Sequence, residues 1–176
     1  NVTTTGTQTY TGATVLSTDV TLTTTDSNVT FSSTVDGDGT ARDLTIDTNG
    51  NTGTILFDGL VGNSNDLDAM TITGNLDLDA AIANTTSISI SGTSNLGANV
   101  TTSGTQTYTG ATTLSGGDRT LTATTVNFGS TMTGTGSHDL TVTGNLDLDG
   151  ALTSVVDLSV SGTSNLGANV TTSGTQ

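Results

Sequence analysis

The residues best equipped for chemistry are aspartates in pairs. "NLDLD" occurs at 75–79 and again at 145–149. Strict alternation turns the leucines inward and sets Asp77/Asp79 and Asp147/Asp149 on an outward face. Two carboxylates on one strand face are the raw material of general acid–base sugar hydrolysis when their surroundings split their pKa values. Duplication of the pair points instead to the solvated face of a repeat, since one catalytic site suffices. His138 is the sole histidine, and no serine or cysteine phrase around it suggests a triad. Arg42 and Arg119 are the only cationic side chains, too few to stabilise a developing oxyanion or hold an anionic sugar. No enzymatic activity and no cofactor are expected.

One candidate metal site is present. "DGDGTARD" (36–43) sets Asp36 and Asp38 at the spacing of the first two ligands of a calcium loop, but Thr40 stands at the third position and Ala41 replaces the following glycine. Asp and Gly also suit turns for purely conformational reasons. Weak, diffuse calcium binding along an acidic surface is the expectation. Five Asn-x-Thr triplets begin at Asn1, Asn28, Asn84, Asn99 and Asn169; a threonine-rich chain generates such acceptors by chance, and unmodified turn asparagines are expected.

Composition narrows the function. The 176 residues hold no Pro, Cys, Trp, Lys or Glu, and the net charge is −14. Nucleic-acid binding is excluded because phosphate contacts need Lys and Arg. Attraction to anionic lipid is equally disfavoured, and no apolar run reaches membrane-spanning length. Loss of the helix formers Lys and Glu, with abundant Thr, Val and Ile, predicts an all-β chain.

The elements that carry these side chains repeat. Residues 70–106 recur with substitutions at 140–176, an offset of 70. Block boundaries fall at 1–98, 99–168 and the start of a third copy at 169–176; the first block is longer by 28 residues (98 − 70), mostly an insertion about 47–70. Within the blocks, short Thr- or Ser-flanked strands center on Tyr10, Phe31, Ile46, Ile72, Ile90, Tyr108, Phe128, Val142 and Val160. Their spacings of 14 to 26 residues predict a single uncapped β-solenoid, a right-handed parallel β-helix of about nine turns. These nine markers are expected to line one buried stack, with Leu76, Leu96, Leu114, Leu146 and Leu166 forming a second. Tyr10 and Tyr108 are expected at the wall, with the hydroxyl reaching solvent or a turn.

Phrases such as "TTSGTQTYTGATTLSGG" (101–117) resemble the filamentous haemagglutinin-type repeats of large bacterial secreted adhesins. The resemblance implies a β-helix on an extracellular bacterial surface, exported by a two-partner or autotransporter route. The expected role is a structural or adhesive stalk, or part of a fibre, biofilm matrix or sheath. Expected partners are neighboring repeats of the same long chain or further copies of it, with any host or cell-surface glycan or protein bound through regions not present here. Two alternatives have sequence support: an ice-binding solenoid through Thr-x-Thr columns such as Thr9/Thr11, Thr71/Thr73, Thr107/Thr109 and Thr141/Thr143, and a carbohydrate-binding or carbohydrate-processing β-helix.

Overall fold

A computed structural model describes residues 1–50, 52–135 and 137–176. Among them every regular element is a β-strand and every pairing between strands is parallel. The strands stack turn upon turn into the expected β-solenoid. Each turn has three faces. Where the coil is most regular, inward side chains come as i, i+2 pairs every six residues: Ile88/Ile90, Ser94/Leu96, Val100/Thr102, Gln106/Tyr108 and Thr112/Leu114 are all buried. Three such units make an 18-residue turn, and small polar residues at the corners reverse the chain between them.

Face I carries the rung Val2, Leu22, Ile46, Ile72, Ile90, Tyr108, Phe128, Leu148 and Leu166, each in register with the next. These nine positions bound eight turns, about 38 Å of stack at ~4.8 Å per strand. Face II stacks Tyr10, Phe31, Phe57, Leu78, Leu96 and Leu114. Face III stacks Thr14, Val35, Val61, Ile82, Val100, Leu121, Val142 and Val160. Each aliphatic side chain covered by the turns above and below contributes roughly 1.5–3 kcal/mol. Aromatic rings extend the effect: Tyr10, Phe31 and Phe57 stack with centroids 4.9 and 5.0 Å apart. Val2 and Leu166, the first and last positions of this stack, are 42 % and 54 % exposed.

The nine markers therefore do not form one line. Tyr10 and Phe31 belong to face II, Ile46, Ile72, Ile90, Tyr108 and Phe128 to face I, and Val142 and Val160 to face III. The five leucines also separate. Leu96 and Leu114 share the Tyr10 column, Leu76 sits in the neighboring face II column, and Leu146 and Leu166 lie on face I. The apparent 14-residue turn from Phe128 to Val142 joins two different faces. Followed along face I, turns run 18 to 26 residues. The two longest, Leu22 to Ile46 and Ile46 to Ile72, place their extra residues in loops while the strands stay in register.

The repeated phrase is out of phase with the coil. Val2, Val100 and Val170 hold the same place in three copies of "NVTT", yet they lie on faces I, III and II. From Ile72 the register passes through Ile90, Tyr108 and Phe128 to Leu148, so four turns here take 76 residues (148 − 72). The copy offset is 70, short by six residues, which is one face. Local geometry travels with the phrase all the same. Gly74 and Gly144, the glycines of "TGN", have φ of +150° and +137°. A Cβ at Gly144 would stand 1.9 Å from the Ala123 carbonyl oxygen, so only glycine fits this corner.

Candidate functional site

Side chains at the corners work mainly on the backbone of the next turn. Asn1, Asn28 and Asn99, three of the triplet asparagines, accept hydrogen bonds from the amides of Thr21, Thr54 and Thr120 at 2.8, 2.9 and 3.0 Å. Asp118, Asp139 and Asp157 form a continuous series, each accepting from an amide one turn on: Asp139, Asp157 and Thr175. These groups satisfy backbone donors that the ladders miss at the corners. Asn84, in the third triplet, donates to the Gly62 carbonyl, and Asn169 is exposed on the last turn.

Both arginines are engaged. Arg42 pairs with Asp38 at 3.1 Å, and its guanidinium holds the Asp38 carboxyl below the usual range. Arg119 donates to the carbonyls of Leu96, Asp118 and Ser115, and burial lowers its pKa. His138 is half-buried and makes no side-chain hydrogen bond among the described residues.

The candidate calcium loop has other partners. Asp36 is buried and accepts from the amides of Ser64 and Asn65 at 2.9 and 3.4 Å, tying the 36–43 loop to the loop one turn on. Asp38 is turned to Arg42. Among the described residues no group of three or more His, Cys, Asp or Glu side chains is placed to hold a metal ion.

Asp77 and Asp79 are separated by the end of their strand, Asn75–Leu78. Asp77 accepts from Asn95 Nδ2 at 2.8 Å on face II, whereas Asp79 lies at the corner. Burial, then the charges of Asp77 and Asp58, raise the Asp79 pKa. Asp147 sits on face I and accepts from Asn165 at 2.8 Å and Asn127 at 3.3 Å. Thr54, Asn75, Asp77, Thr93, Asn95 and Thr113 line the open hollow beside Asp77, of about 430 Å³. The Thr-x-Thr pairs divide as the markers do. Thr71/Thr73 and Thr107/Thr109 share face I with Thr21/Thr23, while Thr9 lies on face II and Thr141/Thr143 run along the face III column.

A polar core unit escaped the sequence reading. Gln106 is fully buried; its Nε2 donates to the carbonyls of Val100 (3.1 Å) and Thr122 (2.9 Å), and its Oε1 accepts from the Tyr108 hydroxyl (3.1 Å). Gln8 and Tyr10 repeat the arrangement on face II. The signal was in "TQTY": if Tyr points inward, so does the Gln two residues before it. Tyr108 therefore reaches a core amide rather than solvent, and burial raises its pKa far above 10. A phenol held neutral in the fold but free to ionise when unfolded stabilises the protein below about pH 10 and loses that effect as pH rises further. Melts between pH 8 and 11.5 should show stability falling above pH 10, with a smaller fall in Tyr108→Phe.

Ser94 and Thr112 are adjacent in one buried column of face II, between Leu76 and Met132, and their hydroxyls have no hydrogen-bond partner among the described residues. Replacing such a group by an apolar one of the same shape removes a desolvation cost. Thr112→Val should raise stability by about 1 kcal/mol, read as a higher melting temperature.

Comparisons with protein-family models, curated proteins and solved structures found no match for this chain.

Proposed function

We propose that this chain is a stiff structural segment of a long extracellular bacterial protein, a right-handed stalk or part of a surface fibre, matrix or sheath. One observation carries the reading: the face I register passes unbroken through every turn from Val2 to Leu166. A coil in which each turn is completed by its neighbors gains length without changing cross-section. Engagement of both arginines and use of the corner Asx residues on backbone amides fit a mechanical role better than catalysis.

Tandem copies test this. Joining Gln176 to Thr9 of a second copy restores "GTQTYTG" as it stands at 104–110. Electron microscopy should show rods lengthening by about 4.8 Å per added turn. Compact particles whose length does not scale would refute the spacer reading. Antibodies to the segment should label intact cells expressing the parent gene; labelling only after permeabilisation would refute the extracellular assignment.

A further inference from the structure

We propose that the hollow beside Asp77 on face II is a subsite for a neutral sugar. The two copies of "NLDLD" supply the argument, because their surroundings differ. Asp147 has both carboxylate oxygens occupied, Oδ1 by Asn165 and Oδ2 by Asn127. Asp77 has Oδ1 held by Asn95 at 2.8 Å, and its Oδ2 makes no hydrogen bond among the described residues. The difference comes from the preceding turn: the residue in register before Asp147 is Asn127, whereas before Asp77 it is Leu56. One phrase thus yields a closed rung on face I and an open one on face II, and the open one borders the hollow of about 430 Å³.

The open rung suits a polyol. Asp77 Oδ2 can accept from sugar hydroxyls, and the hydroxyls of Thr54 and Thr113, in the same wall, make no hydrogen bond among the described residues. Asn95 is held in place by its donation to Asp77, which preorganises its amide oxygen. Ala111, in the same lining, offers a small apolar surface to sugar C–H groups. No cation lines the hollow and the chain carries −14, so uronates, sulfates and phosphates are repelled. One carboxylate with one oxygen already held falls short of the several oxygen ligands a calcium ion needs. With no aromatic platform, binding rests on hydrogen bonds and is weak for one site; repetition along a longer rod would raise it by avidity. The inference is independent of the spacer reading.

The test is an array of neutral gluco-, galacto-, manno- and N-acetylated oligosaccharides beside a uronate oligosaccharide, followed by an amide NMR titration of the 176-residue protein with the best neutral binder. The Asn95 side-chain amide and the Thr93 and Thr113 backbone amides should shift. Asp77→Ala should weaken binding about tenfold or more, while Asp147→Ala leaves it within about twofold and both variants keep the wild-type spectrum elsewhere. No shift at Asn95 with any neutral sugar, preference for the uronate, or equal binding by Asp77→Ala would overturn the proposal.

Discussion

Ile90→Asp is expected to unfold about 4 kcal/mol more readily than the parent. Ile90 is fully buried at the middle of face I, in register with Ile72 and Tyr108. No cation lies in that core to compensate a carboxylate, since Arg42 is committed to Asp38 and Arg119 to backbone carbonyls. The adjacent Ser89 is exposed on the same strand, so Ser89→Asp should change stability by no more than about 0.5 kcal/mol. Thermal melts of the two variants compare inward and outward positions one residue apart. An unchanged melt for Ile90→Asp would mean that the face I register is wrong.

The second large effect is expected from Gln106→Leu, at about 2–3 kcal/mol. Leucine fills a similar volume but leaves the Val100 and Thr122 carbonyls and the Tyr108 phenol without their side-chain partner. Because the phenol and the amide act as a pair, adding Tyr108→Phe to Gln106→Leu should cost less than the sum of the two single changes. Gln8→Leu is the natural comparison. Tyr10 is only half-buried at the first turn, so water can replace part of what is lost and the cost should be smaller. Denaturant unfolding of the four variants measures both comparisons.

The parallel coil itself was legible because alternation at Ile72, Ile90 and Val142 states which side chains go inside. Which face each strand joins was not. A strand of two or three residues looks the same on any face, as those beginning at Val2, Val100 and Val170 show. Assignment to a face depends on how many residues each corner absorbs, and corners built from Gly, Ser, Asn and Asp accept several lengths. "SGGDR" (115–119) lies between the face II strand ending at Leu114 and Leu121 on face III, and Arg119 ties its carbonyls together. Nothing in those letters announces the count. The open and closed Asp rungs were hidden for the same reason, since the contrast between Leu56 and Asn127 emerges only when turns are aligned in space. Gln106 was missed because a buried glutamine runs against composition, although its spacing from Tyr108 already placed it inside.

The six-residue shortfall between copies bears on how such a gene can grow or shrink. Exchange between misaligned DNA copies need not restore a whole circuit of the coil; landing on the next side serves as well, provided the added length closes a side. Each such event also turns the duplicated motif to a new compass direction around the axis. Successive copies would thus spread one set of surface groups around the circumference, while a coil whose repeats matched its circuits would line them up on a single side.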